Sequence, residues 1–249
     1  MSEDLDIIDH LIANIHKGKY ESDDKLPSEN ELADMFRVPR IIVRKAYDRL
    51  QELGYIYSKQ GKGSFVKDRH ISIPIVLFTV ESFSKKMLKL GYNYQSKNIF
   101  CEPIAYNSKI YQSLGANEKD RIFKVGRLRI IDGVPVALHI SYVTEAMFGD
   151  IEQIGNEITS MFEFYKDRGY TNLRSKQVLL RVTYPFKYER ELFACSGLIP
   201  LIVIESECVD RWTGKTVEYS QNLYRGDFFT YSVSTEVGHE EKTTNGDFD

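Results

Sequence analysis

Signals for the start and end of helices follow one another so closely between positions 26 and 54 that few folds accommodate them. Ser28 and Glu31 form a capping box, in which each side chain bonds an otherwise unpaired amide at the start of a helix. Pro39 is tolerated in the first turn of a helix and disfavoured further in, so a new helix starts there. Gly54 suits the position just past a helix end. The spacing predicts a short helix followed at once by a longer one.

Apolar periodicity predicts a helix before this pair and a β-hairpin after it. The first helix has an apolar stripe at i, i+3, i+4 and i+7, formed by Ile8, Leu11, Ile12 and Ile15. The third helix has a buried stripe formed by Val43, Ala46, Tyr47 and Leu50. Residues 55–57 and 64–66 flank a glycine-rich basic tip at 60–63. Three helices and a hairpin predict a winged helix-turn-helix domain over residues 1–68.

The distribution of charge indicates where nucleic acid would bind. The chain has 249 residues and a formal net charge of −3, which at first sight argues against nucleic acid. Residues 1–35, however, hold three basic and ten acidic side chains, whereas residues 36–69 hold nine basic and three acidic ones. A short basic segment in an otherwise acidic chain is typical of a local nucleic-acid footprint. A solvated helix face is the alternative interpretation.

The third helix carries the candidate base-reading side chains. Arg40 and Arg44 lie one turn apart, opposite the buried stripe and near the helix N-terminus. Helix-turn-helix proteins read bases from that end, and arginine suits guanine because its fork matches O6 and N7. We therefore predict that both arginines contact bases or phosphates. Asn30 and Lys45 are candidate phosphate contacts.

The hairpin tip is a second candidate contact with DNA. Gly61 and Gly63 would let its backbone approach the duplex closely, and Lys62 would then reach the minor groove or a phosphate. An ordinary tight turn is the alternative explanation for the two glycines.

Three motifs in this region resemble the DNA-binding domain of GntR-family bacterial repressors. They are Leu26-Pro27-Ser28-Glu29-x-Glu31-Leu32-Ala33, Val38-x-Arg40-x-x-Val43-Arg44-x-Ala46 and Gly61-x-Gly63-Ser64-Phe65-Val66. Their order over about forty residues makes the resemblance specific. This chain departs from the family pattern at two positions, with Pro39 where serine is common and Ile42 where threonine is common. Both replaced residues often bind phosphate or cap the helix.

The rest of the chain predicts a second domain of mixed composition. We place a linker at 69–81, whose segment 71–79 is β-branched enough for an ordered strand, a domain at 82–235, and a disordered polar tail at 236–249. Predicted helices are Phe83–Leu90, Ser108–Leu114, Ser160–Lys166 and Lys187–Ala194. Predicted strands are Ser96–Ile104, Ile122–Ile131, Val134–Val143, Leu173–Val182, Pro200–Arg211, Thr216–Leu223 and Phe228–Ser234. Hairpin turns at 132–133 and 213–214 make neighbouring strands antiparallel, so the fold class is α+β.

Two arginines on one strand suggest a pocket for an anion. Arg127 and Arg129 share one face of the strand at 122–131, and burying both is costly unless an anion compensates them. Thr159 and Ser160 precede a helix with a capping-box pattern, and the free amides of a helix start bind anions. Together these features predict a phosphate or carboxylate pocket. A surface strand with arginines paired to glutamates is the alternative.

Further motifs resemble the effector-binding (UTRA) domain of the HutC subfamily. They are Phe83-Ser84 at a helix start, Arg127-Leu128-Arg129 before Asp132-Gly133-x-Pro135, and Val217-Glu218-Tyr219-Ser220 leading to Tyr224-Arg225-Gly226-Asp227. The resemblance implies a chorismate-lyase-like fold that dimerises. It also implies that the arginine pair and the hydroxylated helix start bind phosphate.

The same resemblance implies roles for residues near the carboxyl end of the domain and at its first helix. Glu218 and Tyr224 would bind sugar hydroxyls, and main-chain groups around Phe83 and Ser84 would line the pocket. His139 stands where some sugar-phosphate sensors have a glutamate, which leaves the ligand class open. A histidine satisfied within the strand is an equal alternative.

These features favour a ligand-responsive regulator, a homodimer that binds a palindromic operator and is released by a phosphorylated sugar or related anion. A non-phosphorylated organic acid is the alternative effector. A nucleoid-type binder without effector and an enzyme on a lyase-like fold are the alternative classes. No motif for nucleophilic, phosphate-binding or metal chemistry is present, so we expect neither an enzyme nor a cofactor. Three scattered cysteines, an acidic N-terminus and the absence of a long apolar run indicate a cytoplasmic protein, associated with the nucleoid when bound to DNA, and not a membrane protein.

Overall fold

The computed structural model describes residues 3–67, 82–195 and 199–229. The predicted linker over 69–81, its proposed strand and the predicted tail over 236–249 lie outside these ranges. Every helix within the described ranges is too short or too polar to cross a membrane.

The N-terminal domain, called the head below, has the predicted winged helix-turn-helix order. Its elements are α1 (Glu3–His16), α2 (Glu29–Phe36), α3 (Arg40–Glu52), β1 (Ile56–Lys59) and β2 (Gly63–Val66). Ser28 caps α2 through the predicted reciprocal bonds with Glu31, at 2.6 and 3.2 Å. Arg37 then turns the chain with a left-handed φ of 55°, which ends α2 just before α3. Gly54, with φ 75°, follows α3.

The core of the head contains the predicted stripes of both α1 and α3. Val43, Ala46, Tyr47 and Leu50 are all buried. In α1, Ile8 and Leu11 are buried and Ile12 and Ile15 are partly buried against the core. The buried face also extends one turn towards the N-terminus, to Ile7 and Asp4, which the apolar stripe did not predict. Asp4 is buried and lies 3.3 Å from the Lys45 ammonium of α3, so a charge pair occupies a position where apolar periodicity expects a hydrophobic residue.

The second domain, called the body below, is built on a six-stranded sheet. Its helices are α4 (Phe83–Lys89), α5 (Ser108–Leu114), α6 (Ile151–Ile154), α7 (Met161–Asp167) and α8 (Lys187–Leu192), with a 3₁₀ turn at Gly155–Glu157. Its strands are β3 (Tyr94–Pro103), β4 (Ile122–Ile131), β5 (Val134–Thr144), β6 (Leu173–Thr183), β7 (Leu201–Asp210) and β8 (Thr216–Arg225). The strand order is β3-β4-β5-β8-β7-β6, and every neighbouring pair is antiparallel. The predicted α+β class is confirmed.

Two segments of the body differ from prediction. The strand predicted over Phe228–Ser234 is wrong at its described start, because β8 ends at Arg225 and Phe228 lies in the turn that follows. Residues 230–234 lie outside the described ranges. The four-residue α6 and the 3₁₀ turn after it were not predicted, since so short a segment shows no apolar periodicity.

The two faces of the sheet pack against different helices. On one face α5 packs its apolar side against Tyr142 of β5 and Tyr219 of β8. On the other face α7 packs Phe164 and Tyr165 against β4, and α4 inserts Met87 against the far end of the sheet. The space between α4, α7 and the sheet holds the candidate ligand site.

Candidate functional site

A cavity of about 410 Å³ lies between the sheet, α4 and α7. Its volume falls within the range of small-molecule sites. The lining includes eight of the predicted effector residues: Phe83, Ser84, Arg127, Arg129, His139, Ser160, Glu218 and Tyr224. Thr159, the ninth, is exposed and does not line the cavity. The structure therefore brings together side chains that are as far as 141 positions apart in the sequence, between Phe83 and Tyr224.

Arg129 is buried on β4 and held by three acceptors. Its Nη1 donates to Tyr94 Oη at 2.6 Å, to Ser96 Oγ at 2.6 Å and to the Thr159 carbonyl at 2.9 Å. Its Nε is buried without a partner among the described residues. The Thr159 main chain thus positions the arginine, and one donor of the guanidinium is unused.

Arg127 lies two residues earlier on the same face and is equally buried. Its Nη2 donates to Ser141 Oγ, whereas its Nε is a second buried donor with no partner in the described part of the chain. Burial, assisted by the charge of Arg129, lowers the pKa of Arg127 to about 10, so the side chain is still charged at neutral pH.

A carboxylate faces this pair across the cavity lining. Burial raises the pKa of Glu218, while the nearby charge of Arg127 opposes that rise. One carboxyl group therefore accompanies the two buried guanidinium groups, and Lys86, Arg174 and Arg211 add further positive charge to the cavity lining. The expectation of solvated arginines paired to glutamates on a surface strand does not hold here.

His139 lies beside the arginines, opposite Arg127 in the β4–β5 register. Its ring contacts Phe83 and Tyr224 edge-on, with centroids 5.0 and 5.2 Å apart. Burial and the charges of Arg129 and Arg127 lower its pKa well below the ordinary value, so the imidazole is neutral. Its Nε2 is buried without a hydrogen-bond partner within the described ranges, so the strand itself does not satisfy the histidine.

Both helix starts at the cavity are capped by serines, one of which was predicted. Ser82, which the sequence analysis missed, caps α4 by accepting from the Lys85 amide at 3.2 Å. Ser160 caps α7 through the Glu163 amide at 3.4 Å. The Glu163 carboxylate lies 3.0 Å from the Lys85 ammonium. The capping box predicted at α7 therefore has the bond from the Glu163 amide to the Ser160 hydroxyl, while the Glu163 carboxylate pairs with Lys85 and links α7 to α4.

The sequence analysis also missed the polar wall of the cavity. Ser206, Ser220 and Asn222 line it along β7 and β8, between Glu218 and Tyr224. Side chains on a strand alternate between faces, so Glu218 and Tyr224 on one face require Ser220 and Asn222 on the same face. Period-two spacing was thus a usable signal for β8. Ser206 became assignable only from its pairing with Ser220.

The exposed face of α3 carries the predicted DNA-contacting arginines. Arg40 Nε donates to Glu29 Oε2 of α2 at 2.6 Å, while Arg44 is exposed and makes no ion pair within the described ranges. Asn30 is exposed on α2. Pro39 is the N-cap of α3 and supplies no capping side chain, as its substitution for serine implies. Lys45 is mostly exposed but pairs with Asp4, so it also joins α3 to α1.

The hairpin tip has the geometry that its glycines predict. Gly61 and Gly63 adopt φ values of 71° and 108°, which side chains disfavour. Lys25 packs over Gly63, where an added Cβ would lie 3.0 Å from its Cε. The Lys59 ammonium lies about 5 Å from the rings of Tyr57 and Phe65, at 5.1 and 5.0 Å. Lys25 and Lys59 therefore add positive charge beside Lys62.

A basic helix-turn-helix with a wing, joined to a cavity-bearing body, defines the class of two-domain transcriptional regulators. Two family models match the chain: bacterial regulatory proteins of the GntR family over residues 4–66, and the UTRA domain over residues 89–230. The chain belongs to the GntR–UTRA family and is a transcriptional regulator, not an enzyme.

Individual proteins show the same likeness over nearly the whole chain. The mannosyl-D-glycerate transport/metabolism system repressor MngR of Escherichia coli (strain K12) is 27% identical over 230 residues, 91% of this chain and 93% of that protein. The transcriptional repressor NagR of Bacillus subtilis (strain 168) is 24% identical over 225 residues, 90% and 91% of the two chains. The crystal structure of PhnF from Mycobacterium smegmatis superposes with a TM-score of 0.59 at 17% identity, covering 95% of this chain and all of that one.

Proposed function

We propose that this protein is a repressor whose body binds a phosphorylated sugar and whose head then releases a palindromic operator. The observation that carries the proposal is the buried pair Arg127 and Arg129, each with an Nε donor that no described residue satisfies. Buried donors are nearly always paired in native proteins, so an unpaired set beside a cavity indicates a ligand acceptor.

The charge balance of the cavity supports an anion with more than one negative charge. In the cavity lining the buried pair Arg127 and Arg129 is joined by Lys86, Arg174 and Arg211, against one carboxyl group, that of Glu218, and His139 adds no charge at neutral pH. A phosphate offers several acceptor oxygens to such a pair, and arginine binds phosphate through parallel hydrogen bonds. Ser160, at the start of α7, lines the same end of the cavity.

The neighbouring strands of the same sheet face support a sugar, because Asn222 follows Arg127 and His139 across the strand register. Ser206, Ser220 and Asn222 are small, uncharged and able to donate or accept, which suits hydroxyl groups. Tyr224 and Phe83 provide apolar ring faces for the carbon skeleton. Glu218 offers acceptors for hydroxyl protons. The supported effector is therefore phosphorylated at one end and hydroxylated at the other.

A thermal-shift screen tests this assignment. The panel contains hexose and hexosamine 6-phosphates, the same sugars without phosphate, and organic acids such as glycerate. A ligand at 100 times its dissociation constant adds about 2.7 kcal/mol of stability to the folded state. We expect a shift from a phosphorylated sugar and none from its parent sugar. A shift from an organic acid alone would show that the effector is a non-phosphorylated acid. No shift from any compound would contradict the proposal.

Arg40 and Arg44 are proposed to read the operator. Glu29 occupies the Nε edge of Arg40 and leaves its two terminal nitrogens, the pair that matches guanine O6 and N7. Glu29→Gln should therefore leave the Arg40 guanidinium less well oriented and should also remove a negative charge near DNA. These two changes have opposite effects on DNA affinity. Specific binding weakens, whereas non-specific binding strengthens, so the ratio of specific to non-specific affinity should fall about 5- to 30-fold.

Fluorescence anisotropy with the selected operator and a scrambled duplex measures that ratio. Asp34→Asn is the matched control, because Asp34 is also an exposed acidic residue of α2 but has no contact with Arg40. An equal fall in both variants would show that charge alone is responsible. The Arg40 side chain is 65% exposed and that of Glu29 28% exposed, so the ion pair is partly solvated, and neither substitution should change the unfolding free energy by more than about 1 kcal/mol.

We further propose that the protein is a homodimer that joins through β6. This strand is an edge of the sheet, and both of its faces are exposed. Large exposed hydrophobic side chains cluster on it and on the segment after it: Leu179, Leu180, Val182, Tyr184, Phe186 and Tyr188. An uncovered apolar edge strand invites pairing with another strand. A two-fold pair of copies would also match the two half-sites of a palindrome.

Val182→Asp should dissociate that dimer, because the charge would be buried at the interface. Light scattering after gel filtration should then show a molar mass near the 28.9 kDa of one chain. Tyr106→Asp, at another exposed aromatic position, is the control and should keep the larger mass. A wild-type mass of 28.9 kDa would contradict the dimer itself. As a regulator of operator DNA, the protein is proposed to act in the cytoplasm and to associate with the nucleoid when bound.

A further inference from the structure

A buried carboxylate at the end of β8 contacts the head at two points. Asp227 Oδ2 lies 3.4 Å from Nζ of Lys67, the residue after β2. It also lies against Gly54, the second residue after α3, where an added Cβ would be 3.3 Å from the same oxygen. The Lys67 ammonium lies 5.7 Å from the centroid of the Phe228 ring. One side chain of the body therefore contacts the ends of both the predicted recognition helix and the wing.

The same carboxylate is fixed to the body by Arg225. Arg225 Nε donates to Oδ1 of Asp227 at 3.1 Å, and Nη2 donates to Oδ2 at 2.8 Å. Nη1 of the arginine donates to the carbonyls of Pro135 and Phe193, at 3.2 and 3.3 Å. Both members of the pair are buried. A buried, fully bonded ion pair holds its geometry closely, because separating the charges is strongly unfavourable.

The residues around this pair also form a wall of the cavity. Tyr224 lines the cavity, and its ring lies 5.2 Å from the rings of both His139 and Phe229. Only two residues separate Tyr224 from Asp227. Between them the Gly226 amide donates to the Pro200 carbonyl at 2.8 Å, and an added Cβ would meet that oxygen at the same distance. The turn between Tyr224 and Asp227 is therefore closely packed against Pro200, with no room for a Cβ at Gly226.

We propose that the Lys67–Asp227 contact is a latch that couples occupation of the cavity to the placement of the head. The inference rests on the proposed function and assigns the regulation of that site. A ligand that moves Tyr224 shifts Asp227 relative to Lys67 and Gly54, and so changes the free-energy difference between docked and released heads. A ligand drives this response only to the extent that it binds one of the two states, docked or released, more tightly than the other.

Lys67→Met tests the latch because it removes the cation and keeps the length of the side chain. Operator affinity is measured by anisotropy with and without glucose 6-phosphate at matched ionic strength, or with whichever 6-phosphate of the panel shifts the wild-type protein most. Allosteric coupling changes affinity by about 5- to 150-fold. We expect that ratio to fall at least about three-fold in Lys67→Met, while the thermal shift from the sugar phosphate is unchanged. Lys67→Arg should restore the ratio, and Lys17→Met, at an exposed head lysine, should not alter it.

Hydrogen exchange on the ligand-free protein separates this inference from the proposed function. Without the latch, the amides of Tyr55 and Gly226 should both exchange about five-fold faster, since local opening on either side of the contact becomes easier. Unchanged exchange at both amides, or an unchanged coupling ratio in a variant that still binds the sugar phosphate, would overturn the latch. If the wild-type protein shows no response to any phosphorylated sugar, the proposed function fails, and the exchange measurement alone decides the latch.

Discussion

Replacing Arg44 by alanine is expected to abolish operator binding and to leave the fold intact. Arg44 is exposed on α3 and pairs with no other described residue, so its removal should change the unfolding free energy by less than about 0.5 kcal/mol. A bidentate contact between arginine and guanine contributes about 1–3 kcal/mol of discrimination. A dimer on a palindromic operator would lose this contact at both half-sites, so the binding free energy should weaken by about 2–6 kcal/mol. The dissociation constant should then rise roughly 30-fold to more than 10⁴-fold.

Gel shifts with an operator fragment selected from a random duplex pool measure this loss. Arg49→Ala is the matched control, because Arg49 is an exposed arginine in the last turn of the same helix. Its loss should weaken binding to all sequences alike and reduce the salt dependence slightly. Unchanged affinity in Arg44→Ala would remove the assignment of α3 as the reading helix. An equal loss in both variants would mean that Arg44 contributes charge and no base recognition.

Replacing Arg127 by methionine is expected to abolish the thermal shift that a phosphorylated sugar causes in the wild-type protein. The guanidinium has one described hydrogen bond, to Ser141, so methionine leaves few groups unsatisfied. The substitution leaves the buried Glu218 carboxyl without the charge of Arg127, which is destabilising, so each thermal shift is measured against the ligand-free transition of the same variant. Hydrogen bonds to charged groups contribute about 1.5–3 kcal/mol each, so the dissociation constant should rise roughly 10- to 150-fold per bond lost.

The pKa of Glu218 makes the effect larger near neutral pH. Burial already raises that pKa, and removing the charge of Arg127 removes the main opposing influence. Protonation of Glu218 would then change its role from acceptor to donor. Arg121→Met, just before β4 and outside the cavity, is the control and should keep the full shift. A shift that survives replacement of both Arg127 and Arg129 would place the ligand elsewhere.

Secondary structure was predictable where one local rule decides the outcome. The Ser28–Glu31 box and the buried stripe of α3 were both confirmed, because capping and helical periodicity act within a few residues. The turn at 132–133 has φ values of 50° and 81°, as a tight hairpin requires, and β4 spans the predicted residues. These features need no information from distant parts of the chain.

Predictions failed where a distant partner overrides the local pattern. The apolar stripe of α1 did not predict the burial of Asp4, because that carboxylate is stabilised by Lys45, a residue of another helix. The strand predicted from Phe228 was wrong at its described start, because the Arg225–Asp227 pair lies at a turn that Lys67 also contacts. A pattern of apolar residues cannot predict that a charged residue is buried when its partner is brought to it only by tertiary packing.

The sequence by itself determined the order of the domains, the arginine pair on β4 and the glycines of the wing, because each depends on residue type and short spacing. Only the tertiary structure decided that eight distant residues line one cavity, that Thr159 offers a carbonyl to Arg129 instead of facing the cavity, and that Asp227 contacts the head. These outcomes depend on strand register and on which charges are desolvated together. Both are set by the packing of segments that are far apart along the chain.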